Sequence, residues 1–177
     1  MKLEIERKFL VKSLPTKKVD DVFKIEQFYL KNSEGIWERA RTYHSDKTGD
    51  KYIHTIKKSV SKGVNMEDEH EMTQKEFEDF RDLCFKPGVE SKHISKERWV
   101  YKDGNLKWEV DVFKSGYHLI VAEIEIPHKK YDLKIPKFIQ EIMLLEVTGM
   151  KQFSNRSLSL NIDDKNDKSR KESTEKL

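Results

Sequence analysis

A single cysteine, Cys84, in a chain of 177 residues excludes an internal disulfide and a cysteine-built metal centre, and points to a reducing compartment. No stretch approaches the roughly 20 apolar residues that a membrane helix needs, and the N-terminus opens with charges rather than a signal-like core. A cytoplasmic protein with no membrane partner is expected. Net charge is only +3, from 35 Lys and Arg against 32 Asp and Glu, so there is no global excess to draw the chain to nucleic acid. Any anion binding must come from local placement. The seven glycines are scattered, mostly at turns, and G-x-x-x-x-G-K-[ST] is absent, which excludes a backbone phosphate cradle of the P-loop kind. The six histidines, His44, His54, His70, His93, His118 and His128, show no metal-ligand spacing and read as structural or surface residues.

What is present is charge, at 38% of residues, beside nine Phe, six Tyr and three Trp. The length suits one domain with a sizeable core, over residues 1–162, followed by a charged tail at 163–177 that cannot offset the entropy of ordering. Turn signals at Asn32 to Gly35, Asp46 to Asp50, Lys102 to Asn105 and Lys114 to Gly116 cut the chain into short β-branched and aromatic runs. Strands are expected near 2–11, 24–31, 36–44, 51–58, 64–72, 93–101, 106–113, 119–127 and 144–149. The fold class is α+β, mainly β, an antiparallel sheet or barrel. Thr73 and Glu76 form a capping box before Phe77, Phe80 and Cys84 at helical spacing, which predicts a helix over 73–85 with Cys84 packed inside. A second helix is expected from Pro136, with Phe138, Ile139 and Ile142 buried, and a third over 15–23.

Charge alternates along the strands. In KLEIERKFLV, Glu4, Glu6 and Lys8 share one face, while Leu3, Ile5, Phe9 and Val11 share the other, Arg7 excepted. Arg39 and Arg41, Lys96 and Arg98, Glu109 and Asp111, and Glu123 and Glu125 repeat the pattern, and Lys57 ends the run YIHTIK. Behind Glu123 and Glu125 stand Ala122, Ile124 and Ile126. For Glu67, Glu69 and Glu71 a solvated face is the simpler reading, and Trp37, Trp99 and Trp108 read as barrel packing. An outward ladder of such pairs would set like charges side by side at a cost in stability. Carboxylates are hard oxygen ligands suited to Mg²⁺ or Mn²⁺, and Lys and Arg are phosphate donors, so a polyphosphate carrying a divalent cation needs both sets in one cavity.

Glu4-Ile5-Glu6-Arg7-Lys8-Phe9 resembles the ExExK signature of the CYTH superfamily, the triphosphate tunnel metalloenzymes. Further matches follow in that family's order: Gln27-Phe28-Tyr29-Leu30, Arg39-Ala40-Arg41, Thr55-Ile56-Lys57, Lys96-Glu97-Arg98, Trp108 to Phe113, Ala122 to Glu125, and Glu146-Val147-Thr148 with Asn155 beyond. The resemblance implies a closed eight-stranded antiparallel barrel whose lumen is a charged tunnel, with a few flanking helices. It implies that Glu4, Glu6, Asp111, Glu123 and Glu125 bind the metal, with Glu109 on the same strand face beside them. It implies that Lys8, Arg39, Arg41, Lys57, Lys96 and Arg98 bind the triphosphate, and that Tyr29 works with Lys8 in catalysis. The activity implied is Mg²⁺-dependent hydrolysis of a small-molecule triphosphate, inorganic tripolyphosphate first, with Mn²⁺ an alternative ion and a homodimer left open. An adenylyl cyclase of the CYTH type, a thiamine triphosphatase and a non-catalytic polyphosphate or nucleotide sensor are the alternatives. Three departures stand out: Asn65 begins the run N-x-E-x-E where the small members often have arginine, Phe28 replaces a glycine, and Phe153 replaces a tyrosine.

Overall fold

Eight strands follow one another in the order the turn signals set, with bounds extended by cross-strand pairing: β1 (Lys2–Val11), β2 (Asp21–Lys31), β3 (Trp37–Ser45), β4 (Gly49–Ser61), β5 (Val64–Glu71), β6 (Ser91–Asp103), β7 (Leu106–Phe113) and β8 (Ile120–Glu125). This computed structural model describes residues 1–162, so the tail at 163–177 lies outside the described residues. Around the sheet the order is β6, β2, β3, β4, β5, β1, β8, β7, and β7 pairs back onto β6. All these pairings are antiparallel, and the sheet is a closed barrel without free edges.

Two connections depart from a simple meander: β1 leads on to β2 although it pairs with β5 and β8, and α1 (Gln74–Cys84) carries the chain from β5 across to β6 beside β2. Its start is fixed as the capping box predicts: Thr73 Oγ1 accepts from the Glu76 amide at 3.2 Å, and the Glu76 carboxylate accepts from the Thr73 amide at 2.6 Å. Phe77, Phe80 and Cys84 then lie on Phe28 and Ala40 of the barrel wall. Burying a phenylalanine of this kind contributes about 1.5–3 kcal/mol. Phe28, standing where the resembling sequences have glycine, is what α1 packs on, edge-on to Phe77 at 6.0 Å. The other half of the outer wall carries Phe9, Trp108, Val110, Ala122 and Ile124, covered by Ile139 and Ile142. Those two come from α2 (Lys137–Gln140) and the residues after it, where Pro136 takes the N-cap position.

The expected helix over 15–23 does not form; Asp21–Lys31 is strand, and Asp21 to Phe23 pair with Val100 to Arg98. The β-branched and aromatic Val22 and Phe23 gain more from a sheet neighbour than from a short helix opened by Pro15.

β1 changes partner partway along one edge. Lys2 to Ile5 pair with β5, and Phe9 to Val11 pair with β9 (Met143–Glu146). Between them the Glu6 amide donates to the Gly63 carbonyl at 2.9 Å and the Lys8 amide to Thr148 Oγ1 at 3.0 Å. The hand-over needs Gly63: its φ is +67°, and a Cβ there would sit 2.8 Å from the Glu6 carbonyl oxygen. The chain then re-enters one end of the barrel through a 3-10 turn (Lys151–Phe153) and α3 (Asn155–Leu158), and leaves along β6 as β10 (Leu160–Asn161). No helix among the described residues is long and apolar enough to cross a membrane.

Candidate active site

Because a strand points alternate residues to opposite faces, the charged face of each run turns inward together. Along β7 the inward residues run Glu109, Asp111, Phe113; along β6 Arg98, Lys96, Ile94; along β8 Glu123, Val121; along β1 Lys8, Leu10. Each series passes from charge to hydrocarbon. Ile94, Phe113 and Val121, with Leu158 of α3 and Leu10, plug one end of the lumen. What remains open is a cavity of about 1470 Å³ lined by eleven Lys or Arg and eight Asp or Glu, so it accepts a polyanion that brings a cation with it.

Strand order sorts these charges into two walls. β6, β2, β3 and β4 form a continuous arc carrying Lys96, Arg98, Arg39, Arg41 and Lys57, with Tyr29 between them. β5, β1, β8 and β7 form the facing arc carrying Glu67, Glu69, Glu4, Glu6, Glu123 and Glu109. Lys8 is the buried cation of the acidic arc, with the exposed Lys2 and Lys107 on the same strand faces nearer the rim.

On the basic arc, Arg39 and Arg41 have side chains only 9% and 10% exposed. Arg41 Nη2 lies 2.5 Å from Glu69 Oε2 and 3.1 Å from Thr55 Oγ1, whereas Arg39 Nη2 comes no nearer than 3.6 Å to Glu67. Nε of both arginines is buried with no hydrogen-bond partner. Burial and the adjacent Arg39 lower the Arg41 guanidinium from its ordinary value, which reports positive charge in excess of its local counter-charge. Tyr29, nearly buried, accepts a hydrogen bond at 2.7 Å from Gln27 Nε2, so its own proton is free to be donated.

On the acidic arc every inward carboxylate is held by a base. Lys8 Nζ is 2.7 Å from Glu123 and also donates to the Phe153 carbonyl at 3.4 Å. Against the pull of burial, Glu123 and Glu6 raise the Lys8 ammonium above its ordinary value, and Lys8 with Arg98 holds Glu123 well below the usual carboxylate range. Lys57 Nζ lies among Glu4, Glu67 and Glu6, at 2.6, 3.0 and 3.4 Å. Glu109 is held by Arg98 and by Lys107, the latter at 2.7 Å. Glu125 stands at the rim, half-exposed, 3.0 Å from Lys2. Asp111 and Lys96 lie deeper, between cavity and plug. Asp111 is fully buried, 2.5 Å from Lys96 Nζ and in a two-point ion pair with Arg98 at 2.7 and 2.8 Å. Asn155 completes this layer, accepting from Lys96 Nζ at 3.2 Å. Burial and Arg98 depress the Lys96 ammonium to about 8 despite Asp111.

Two sequence readings are corrected. Glu67 and Glu69 face the lumen, because β5 pairs with β4 so that Lys57 is opposite Glu67 and Thr55 opposite Glu69; only Glu71 stays on the exposed end. Trp37 is not wall packing: it begins β3 at the cavity mouth, with the Arg156 guanidinium 5.5 Å from its ring centre. Gln27, fully buried, was the functional neighbour that the sequence did not single out; two residues from Tyr29 on one strand face was the available signal.

The donor set suits a hard divalent ion, since the acidic arc offers carboxylate oxygens and the amide oxygen of Asn65. Among the described residues no three acidic, imidazole or thiol groups form a ready-made metal centre. Their carboxylates are engaged by ammonium and guanidinium groups instead.

No protein-family model matches the sequence, and no curated protein matches it. Solved structures do. The inorganic triphosphatase NE1496 superposes with a TM-score of 0.57 at 24% identity, over 89% of this chain and 98% of that one. A conserved hypothetical protein from Pyrococcus furiosus gives 0.51 at 21% identity, over 72% and 80%. The PH1819 protein from Pyrococcus horikoshii gives 0.52 at 16% identity, again over 72% and 80%. At these identities the likeness is one of architecture: this chain shares the closed-barrel fold of those structures.

Proposed function

We propose that the protein is a metal-dependent triphosphatase of the CYTH type that hydrolyses the terminal phosphate of a triphosphate, inorganic tripolyphosphate first, inside the barrel. One observation carries the reading: two buried guanidinium groups, Arg39 and Arg41, each with an unpartnered Nε, face a wall of carboxylates across one cavity. Buried donors without partners cost free energy until an acceptor arrives, and a phosphate chain supplies several acceptors. The name borne by NE1496 agrees with it.

The triphosphate lies along the basic arc, held by Arg39, Arg41, Arg98 and Lys57. Mg²⁺, or Mn²⁺, would be held about Glu4 and Glu6, with Glu123 and Glu109 further round the acidic arc and Glu125 at the rim, and when bound would neutralise charge on the transferred phosphoryl group. Asp111 acts one layer below, keeping Arg98 aimed at the cavity. Lys8 stays protonated, so it serves as a donor to phosphate oxygens at Nζ rather than as a base. Tyr29, its oxygen already accepting from Gln27, donates its hydroxyl proton to the substrate from the opposite wall. Catalysis is then largely positioning and charge stabilisation in a walled-off cavity.

A second reading, an organic triphosphate as substrate, is favoured by Trp37 at the mouth, whose ring a substrate's aromatic end would reach by displacing Arg156 or Lys31 from it. Phosphorus NMR with tripolyphosphate, ATP and thiamine triphosphate offered in parallel with Mg²⁺ tests both. Fast orthophosphate release from tripolyphosphate supports the first reading, and preference for an organic triphosphate supports the second. Pyrophosphate from ATP without orthophosphate moves the protein to the cyclases, and turnover of none of them leaves a binding module.

A further inference from the structure

The basic and acidic arcs meet where β4 pairs with β5, and the residue at that seam is Lys57. Its ammonium nitrogen is ringed by Glu4 Oε2 at 2.6 Å, Glu67 Oε1 at 3.0 Å and Glu6 Oε2 at 3.4 Å. Three carboxylate oxygens around one point make a cation cage, here held open by an internal cation. A fourth group completes it. Asn65 is opposite Glu4 across the β1–β5 pairing, lines the same cavity and is 9% exposed, yet its amide makes no hydrogen bond with any described residue. An amide so enclosed and unpartnered is a ligand-facing group, and its carbonyl oxygen is of the same hard type as the carboxylates around it.

The cage holds more negative charge than one ammonium balances. Three carboxylates face it, so the group of four is net negative. The oxygens also stand too far from the nitrogen for a small divalent ion, whose oxygen ligands lie at about 2.1 Å, so they close in only once the ammonium has left. It has somewhere to go. Lys57 sits on the strand next to Arg39 and Arg41, and a lysine is a point charge on a flexible four-carbon stem.

We propose that Lys57 is a placeholder: it occupies a divalent-cation site built from Glu4, Glu6, Glu67 and Asn65, and vacates it when an anion on the basic arc draws its ammonium across. The identity of that anion rests on the triphosphatase reading; the cage does not. Metal and triphosphate therefore bind with positive coupling, each raising the affinity of the other by the same factor. Asn65 fits this scheme where an arginine would not, because a second cation beside Glu4 would remain in the cage after Lys57 had gone.

The scheme makes a counter-intuitive demand, that deleting one positive side chain tightens metal binding. The probe is Mn²⁺ alone, titrated into the full chain with free ion read from its electron paramagnetic resonance signal. Lys57→Gln is expected to bind Mn²⁺ at least about tenfold more tightly than the unaltered chain, within the range ordinary for site coupling. Adding Glu67→Gln to it returns the affinity towards the starting value, and Lys58→Gln, which removes equal charge from the cavity lining outside the cage, leaves it unchanged. An unaltered affinity in Lys57→Gln overturns the proposal, as does an equal gain in Lys58→Gln, which makes the effect one of bulk lumen charge. Circular dichroism checks that each variant folds. Should Lys57→Gln not fold, the unaltered chain with a methylene-bridged tripolyphosphate analogue decides: Mn²⁺ affinity rises by about tenfold or more, or the placeholder is wrong. No turnover is read, so a failure of the triphosphatase reading shows up separately, in the phosphorus NMR.

Discussion

Replacing Asp111 by Asn isolates the layer beneath the cavity. The carboxylate is 0% exposed, accepts from Lys96 Nζ at 2.5 Å, and binds Arg98 through both oxygens at 2.7 and 2.8 Å. An asparagine has nearly the same shape but no charge and one acceptor oxygen, so two buried cations lose their shared counter-ion. Breaking a buried pair by neutralising one partner costs about 3–5 kcal/mol. Here Glu123, 3.6 Å from Arg98 Nη2, is a residual counter-charge, which argues for the lower end, about 3 kcal/mol. For a domain of this size each kcal/mol moves the melting temperature by about 2–4 °C, so a fall of about 6–12 °C is expected by calorimetry. Glu109→Gln, a partly exposed carboxylate at the cavity wall, is the comparison and should fall by less than half as much. Lys96→Met added to Asp111→Asn should recover part of the loss, because it removes one of the two stranded cations. A melting temperature for Asp111→Asn within 2 °C of the parent would refute the reasoning: the layer would then be relaxed or hydrated rather than a tightly coupled ion cluster.

Three further outcomes are expected. Arg39→Gln removes a guanidinium that lacks a close counter-ion, so stability by urea unfolding should hold or rise while KM for the triphosphate climbs about 10–100-fold, as for loss of a hydrogen bond to a charged group; a stable variant with unchanged KM would remove Arg39 from the site. Gly63→Ala forces a side chain into the left-handed region against the Glu6 carbonyl, which should cost about 1–3 kcal/mol in the same assay, with no loss at all showing that the β1 hand-over is slack. Burial pushes the Cys84 thiol up to about 12; the unfolded chain ionises near about 8.5, so the thiol's contribution is intact below that pH and declines as pH rises towards the folded value. Stability of the parent relative to Cys84→Ala should therefore decline between about pH 8.5 and 11, and equal slopes for the two proteins would show the thiol to be solvated.

Most of the barrel was legible because β-structure has a period of two: wherever one face was apolar, as behind Glu4 and Glu6 or Glu123 and Glu125, the inward face could be named from the sequence. β5 resisted for the same reason. In Val64 to Glu71 the alternation lapses after Met66, and Asp68 and His70 are as polar as Glu67 and Glu69, so nothing in the run says which set turns in; only pairing with Lys57 does. Depth was equally hidden. Glu109 and Asp111 look alike in WEVDVF, yet one lines the cavity and the other lies under it, a difference set by the plug that Leu158 and Phe113 form from distant parts of the chain. Residues 15–23 misled because local propensity was weighed without β6, whose pairing draws Val22 and Phe23 into the sheet.

The sorting of charge into two walls belongs to topology rather than to any strand. In a plain meander β6 would stand between β5 and β7, and Lys96 and Arg98 would be flanked by Glu67 and Glu69 on one side and Glu109 and Asp111 on the other. Bases and acids would then be interleaved around the lumen, and their fields would largely cancel within a few ångströms. Crossing over by way of α1 sets β6 against β2, and the β1–β2 crossover sets β1 against β5; together they bring Arg98 round to the side of Arg39 and Arg41 and leave the acids contiguous on β5, β1, β8 and β7. The polarised cavity, a surface for an anion facing one for a cation, thus depends on α1 packing on Phe28 and Ala40, on the outer wall. Phe28, a departure from the resembling sequences on the outer wall, is by this account part of what sets the electrostatics of the lumen.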